Sequence, residues 1–198
     1  MQIALKVKVE GDAAMGMPNA YIFHGFPGSG KSYLANKMAK KSSDLVIIGA
    51  DAIGAMLKGQ YSTYSDNFMF MRSLAGDIVQ ESVKVAIKHN LSFIIDETAL
   101  TKNIREKWIN FIEIQSKLHF RKYAIYVVLF PNLGLKKSLE NRMKDPKGIS
   151  GTKWKKILKR MQEMYEPIES PENHPGVHWI DAKDLKVKDL KGTFYEST

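Results

Sequence analysis

Apolar residues fall in five short runs, at 21–23, 45–48, 92–96, 123–130 and 177–181. None alternates strictly, and each is rich in Ile, Val or Phe, as parallel strands covered on both faces require. Amphipathic stretches separate them. Residues 67–89 place Phe68, Met71, Leu74, Ala75, Ile78, Ser82, Val85 and Ala86 near one side of a helix, and residues 104–118 and 133–143 read as two more. Regular exchange of strand and helix predicts right-handed crossovers and an α/β fold with a doubly wound, mainly parallel five-stranded sheet. Ahead of it, residues 2–10 alternate strictly, with Ile3, Leu5, Val7 and Val9 on one face, which predicts an antiparallel edge strand followed by a loop over 11–18. Residues 170–176 form a turn-rich approach to the last strand. With no internal repeat, low-complexity tail or linker, residues 1–198 read as one domain, residues 1–17 being a strand extension.

The first run leads into Gly25-Phe26-Pro27-Gly28-Ser29-Gly30-Lys31-Ser32, a complete G-x-x-x-x-G-K-[ST] sequence, followed by the helix-like stretch 33–39. Strand, loop and helix in that order make a phosphate cradle. Gly25, Gly28 and Gly30 permit backbone angles closed to other residues, so successive N–H groups curl inward at a helix N-terminus whose dipole favours anions. Lys31 is placed to bridge the β- and γ-phosphates of ATP or GTP, and the Ser32 hydroxyl to ligate Mg²⁺. A Gly-rich turn that merely joins strand to helix is the plainer alternative.

Composition narrows the class. At 198 residues and 44% hydrophobic, the chain can bury one substantial core, and with no cysteine it holds neither disulfides nor a thiolate metal site. No apolar run approaches the ~20 residues needed to span a bilayer, so the chain reads as cytosolic. Its net charge of +9 is concentrated: residues 136–160 carry ten basic residues against two acidic ones, a balance of +8. This predicts a basic helical lid and a polyanionic partner, the competing reading being a solvated lysine-rich face.

Three further positions could carry chemistry. The second run ends at Asp51, on the sheet edge from which the cradle projects. A carboxylate there can take the proton of an alcohol attacking the γ-phosphorus, or it can cap the helix that follows. The third run ends Asp96-Glu97-Thr98, where Asp96 fits the Mg²⁺ shell, Thr98 a phosphate or acceptor, and Glu97 is a rival base. After the fourth run, Arg142 is placed to neutralise charge on the transferred phosphoryl group if its helix turns over the nucleotide, and is otherwise a surface arginine. His24 reads as structural, and Arg72 as solvated.

Together these motifs resemble the P-loop kinases of the polynucleotide 5′-hydroxyl kinase and zeta-toxin-like group over residues 20–166. Asp51 follows Lys31 by twenty residues, as lysine and catalytic aspartate do in that group, and Asp96-Glu97-Thr98-Ala99-Leu100 with Arg105 and Trp108 downstream looks like its Asp-x-Thr-Asn-Leu followed by an arginine. Asn141-Arg142 falls where its lid arginine lies. The resemblance implies ATP and Mg²⁺ as cofactors, a nucleotide-kinase-like fold, and an acceptor site that includes Arg105 and the region of Tyr61 and Tyr64, either of which could stack on a base. Three departures stand out: Gly54 replaces an acceptor-binding arginine, Ala99 the usual Asn, and Ser138 a common arginine.

The function expected is therefore ATP-dependent phosphoryl transfer to a hydroxyl of a nucleic acid, either a 5′-OH of DNA or RNA or a hydroxymethylated base. Alternatives are a kinase for a small metabolite or sugar nucleotide, and a nucleotide-gated binding module.

Overall fold

The computed structural model describes residues 17–58, 68–147, 149–168 and 174–185. The edge strand expected at 2–10 lies outside them, as do Tyr61 and Tyr64. Five strands form one parallel sheet: β1 (Asn19–His24), β2 (Leu45–Ile48), β3 (Ser92–Ile95), β4 (Ala124–Leu129) and β5 (Val177–Asp181), in the order β2-β3-β1-β4-β5. Each lies within two residues of its expected bounds at either end. The helices are α1 (Lys31–Ala39), α2 (Ala50–Lys58), α3 (Phe68–Lys88), α4 (Lys102–Leu118), α5 (Gly134–Lys144) and α6 (Gly151–Met164). Among the described residues no helix is long and apolar enough to cross a membrane.

Period-two alternation within the buried strands sorts side chains into two cores. Ala20, Ile22, Phe93, Ile95, Ile125 and Val127 face one way and pack on α3 and α4. Tyr21, Phe23, Ile94 and Val128 face the other and pack on Ala35 and Met38 of α1. Both faces are thus covered, which is why the strands read as unbroken apolar runs. The chain steps outward from β1 to β2 on one side and from β3 to β4 on the other, so a crevice opens at the carboxyl ends of β1 and β3.

The inward face of α3 is turned from the one expected, sharing Ala75 and Ala86 with it. Ala75, Val79, Val83, Ala86 and Ile87 are buried, whereas Val85 is exposed. Apolar residues lie nearly all round this helix, so periodicity alone could not choose the seam that Val79, Val83 and Ile87 form at four-residue spacing.

Helices α3 and α4 end in the same motif with different residues. At α3, Asn90 takes a left-handed φ of 58°, with Asn90 N–H donating to the Ile87 carbonyl at 3.0 Å and Leu91 N–H to the Ala86 carbonyl at 2.9 Å. Phe120 does this at α4, with φ 53° and the bonds Phe120 N–H to Lys117 and Arg121 N–H to Ser116 at 3.1 and 2.8 Å. Asn adopts that conformation at lower cost than an aromatic residue, which has no short polar side chain to bond locally. Since the Phe120 side chain is 95% exposed, it gains nothing from packing. Phe120→Gly is expected to stabilise the fold by about 1 kcal/mol, less the extra unfolded-state entropy of Gly, read as a higher denaturant midpoint with an unchanged slope.

Candidate active site

The cradle is built where β1 ends. Gly28 and Gly30 have φ of 80° and 98°, conformations that curl the loop and that residues with a Cβ rarely adopt. Gly25 is required for a different reason than expected: a Cβ there would lie 2.6 Å from Phe130 Cβ, so space and not backbone angle excludes a side chain. Gly25 N–H donates to the Thr98 carbonyl at 3.1 Å, tying the loop to the segment after β3, and Ser29 N–H closes it onto the Phe26 carbonyl at 3.1 Å. Helix α1 then starts with no side-chain cap and no acidic residue in its first turn. Its first N–H groups therefore face the crevice with a partial positive charge and no protein anion of their own turn.

Lys31 curls back over this loop, its Nζ donating to the carbonyls of Gly25 and Phe26, each at 2.8 Å. Burial pushes its pKa down to about 7, opposed by the Asp96 carboxylate and reinforced by the Arg142 guanidinium. Phosphate oxygens at this point would restore the charged form. The next side chain, Ser32, hydrogen-bonds the carboxylate of Asp96, which burial holds above the usual carboxylate range. Among the described residues no three His, Cys, Asp or Glu side chains cluster as a metal site. One hydroxyl and one carboxylate suit Mg²⁺ held jointly with nucleotide phosphates and water, so the pair fits that ion.

Asp51 sits in the first turn of α2. The Ile53 N–H bonds the Gly49 carbonyl, so the cap position is Gly49, and the reading of Asp51 as the cap residue is corrected. A Cβ on Gly49 would lie 3.0 Å from the Asp96 carbonyl oxygen, which shows how closely the ends of β2 and β3 approach. Asp51 is half exposed, and its Oδ2 accepts from Lys147 Nζ at 2.9 Å. Asp96, Arg142, Asp51 and Lys147 all act electrostatically on Lys31, so five charged groups share one crevice.

Helices α5 and α6 cover the cradle. Asn141 Nδ2 donates to the Gly28 carbonyl at 3.0 Å, and the Arg142 guanidinium lies 4.9 Å from the centre of the Trp154 ring. Arg142 Nε is buried with no hydrogen-bond partner among the described residues. Beneath them a small core joins Phe26 of the loop to Leu100, Ile149, Trp154 and Leu158. The lid is thus fastened to the loop by apolar packing as well as by the Asn141–Gly28 hydrogen bond.

Residues 21–167 match the model of the AAA domain family AAA_33. The chain belongs to this family. The AAA_33 chain has a P-loop kinase fold: it is similar in structure to a candidate kinase from Chloroflexus aurantiacus at 15% identity and TM-score 0.60, covering 89% of this chain and 93% of that one. It is similar also to a chain of the Pnkp1/Rnl/Hen1 RNA repair complex, at 19% identity and TM-score 0.57, over 83% of this chain but 52% of that one. A fungal RNA kinase matches at 14% identity and TM-score 0.53, over 89% and 79% respectively. A search of curated protein sequences gives no match.

Of the acceptor residues expected, Asp51 lies half exposed in the first turn of α2, Thr98 touches the loop through its backbone carbonyl, and Arg105 lies inside the fold. Arg105 is 1% exposed, and its guanidinium donates to the carbonyls of Ala99 and Leu100 at 3.4 Å each. It braces the segment after β3, a role invisible to a motif that records only spacing; its expected contact with the acceptor is corrected. Ala99 in that segment has φ 38°, a conformation for which Asn is the better residue, so the motif's Asn has a backbone reason. His24 is structural as expected, its Nδ1–H donating to the Ala99 carbonyl at 2.8 Å. Gly54 is buried in α2, and Ser138 is buried with its Oγ unpartnered among the described residues. The side chain of Arg72 lies outside the described residues, and Glu97 is half-buried beside Asp96. Sequence reasoning did not single out Lys147 or Trp154, and it placed Phe26 in the phosphate loop without foreseeing its packing on Trp154 and Leu158. For Lys147 the one available signal was its place in the basic segment.

Proposed function

We propose that this chain is an ATP- and Mg²⁺-dependent phosphotransferase acting on a hydroxyl of a nucleic acid, a 5′-OH of DNA or RNA or a hydroxymethylated base. The observation that carries the reading is geometric: the helix bearing Arg142 is tied to the loop by Asn141 Nδ2 donating to the Gly28 carbonyl at 3.0 Å, and Gly49, which begins the helix bearing Asp51, packs against Asp96. Asp51 takes the proton of the acceptor hydroxyl, the oxygen forms a bond to the γ-phosphorus, and the bond from that phosphorus to the β–γ bridging oxygen breaks, leaving ADP. Lys31 and the loop N–H groups hold the phosphates, and Arg142 meets charge developing on the transferred group. Ser32 and Asp96 would hold Mg²⁺, which when bound neutralises phosphate charge.

The acceptor class rests on electrostatics. Helix α6 buries Trp154 and Leu158 and exposes Lys155, Lys156, Lys159 and Arg160 along its other side. A run of exposed cations on a helix packed against the phosphate loop suits a polyphosphate backbone better than a neutral small molecule. The fold likeness to the RNA kinase agrees with this choice.

The test is to incubate the protein with γ-labelled ATP and 5′-OH RNA, 5′-OH DNA, hydroxymethylated DNA, nucleosides and sugars, then locate the label. Label on an oligonucleotide, with an apparent affinity that falls by a log–log salt slope of about 0.7–0.9 per phosphate contacted, is the expected result. Equal labelling of a free nucleoside or sugar, insensitive to salt, would replace it with the metabolite reading. Release of inorganic phosphate alone would favour a nucleotide-driven switch.

A further inference from the structure

We infer that Trp154 is a positioning residue for phosphoryl transfer: its indole, set in the small core that also holds the phosphate loop, fixes where the Arg142 guanidinium stands relative to that loop. The inference rests on the reading of Arg142 as the group that meets charge on the transferred phosphoryl.

Its first ground is that the loop sets the backbone of α5 but not the head of Arg142. Asn141 Nδ2 donates to the Gly28 carbonyl at 3.0 Å, and a Cβ on Gly28 would lie 3.0 Å from the Ser138 carbonyl oxygen and 3.3 Å from Asn141 Cβ. Helix and loop approach so closely that the root of Arg142 has a fixed place. Beyond that root the side chain has several rotatable bonds, and its freedom must be restricted before the guanidinium has a defined position.

The second ground is what restricts it. The guanidinium carbon lies 4.9 Å from the centre of the Trp154 ring, inside the ~6 Å range of a cation on an aromatic face. Trp154 is 1% exposed and shares its core with Leu100, Ile149, Leu158 and Phe26 of the phosphate loop. Its Nε1–H donates to the Pro146 carbonyl at 2.9 Å, in the turn that joins α5 to α6. Packing and this bond together set the ring's orientation. The surface that holds the arginine and the loop that holds the phosphates are therefore parts of one small core.

The third ground is chemical. An aromatic face attracts a guanidinium without cancelling its charge, whereas a carboxylate would neutralise what the reaction uses. Stabilisation of developing charge depends on groups already aimed at it, and a displacement of ~1 Å can cost about 10²-fold. Trp154 acts through Arg142, so its loss should be felt in turnover and only while the arginine is present.

The experiment compares Trp154→Phe and Trp154→Leu, each in the wild-type and the Arg142→Ala background. It measures transfer from γ-labelled MgATP to whichever of 5′-OH RNA, 5′-OH DNA and hydroxymethylated DNA wild type labels best, with thermal unfolding run beside it. Trp154→Leu should lower kcat about 10-fold, as loss of a buried cation–aromatic contact predicts, with KM for ATP changed less than about 2-fold. Trp154→Phe keeps an aromatic face and should lose only about 2- to 5-fold. It leaves no orphaned acceptor, because the Pro146 carbonyl still accepts from Ile149 N–H at 3.0 Å. In the Arg142→Ala background both substitutions should change kcat less than about 2-fold. A merely structural role gives another pattern: a shifted loop raises KM and slows transfer whether or not the arginine is there. That pattern, or a kcat unmoved by Trp154→Leu, would overturn the inference and leave Arg142 in its role. If Trp154→Leu does not fold, Trp154→Phe decides alone, and a loss equal in the two backgrounds, or none, overturns it. No transfer by wild type, or an Arg142→Ala protein as fast as wild type, would overturn the reading of the site as well.

Discussion

Asp51→Asn is expected to slow phosphoryl transfer by about 10²- to 10⁴-fold, the range lost with a general base, while ATP still binds. The amide keeps the size of the carboxylate and can accept a hydrogen bond, but it cannot carry away the acceptor's proton. Its position makes the test clean. The carbonyl of Gly49 begins α2 and Asp51 is half exposed, so the substitution removes neither a helix cap nor a buried charge. The pair with Lys147 joins a half-exposed carboxylate to a lysine side chain only 14% exposed, so some stability is lost with the carboxylate and must be read separately from the rate. Single-turnover transfer from γ-labelled ATP, run beside thermal unfolding, should show a lost rate on an intact fold. A preserved rate would remove Asp51 from the chemistry and return attention to Glu97.

Arg142→Ala should be at least as damaging, by about 10³- to 10⁵-fold in kcat, the range associated with an arginine that meets transition-state charge in phosphoryl transfer. The guanidinium is held over Trp154, and its Nε is buried with no protein acceptor among the described residues. Arg142→Lys keeps the charge and loses the planar fork and the stacking, so it should recover only a small part of the rate. The loss should fall on kcat with KM for ATP little changed, because the interaction strengthens as charge develops on the transferred group. A fall confined to KM would make Arg142 a ground-state phosphate ligand.

Local chemistry was legible along the chain and long-range packing was not. The cradle declares itself in eight consecutive residues, and the strands do so because burial on both faces leaves contiguous apolar runs. Asp51 and Asp96 followed from the rule that carboxyl ends of parallel strands converge. Arg105 shows where that reasoning stops. A spacing match placed it with the acceptor, yet it lies inside, because the chain after β3 needs its carbonyls bonded. Lys147 is the converse: the sequence marked it only as one cation of the basic segment, and the turn between α5 and α6 carries it across to Asp51, 96 positions away. The core that joins Phe26 to Trp154 and Leu158 was hidden for the same reason, since its members come from separate elements. In α3, the apolar surface is wider than one seam, with only the side of Ser73, Asp77, Glu81, Lys84 and Lys88 wholly polar, so which part is buried was undetermined until α4 and the sheet were in place.

The most direct test of the account is a crystal structure of the protein with Mg²⁺ and a non-hydrolysable ATP analogue. The account predicts the triphosphate wrapped by Gly25–Ser32, with Mg²⁺ beside Ser32 and Asp96, Arg142 at the terminal phosphate, and Asp51 facing it across a gap that admits one hydroxyl within about 2.6–3.2 Å of the carboxylate. A terminal phosphate directed away from Asp51, or a carboxylate enclosed where no hydroxyl can enter, would contradict it.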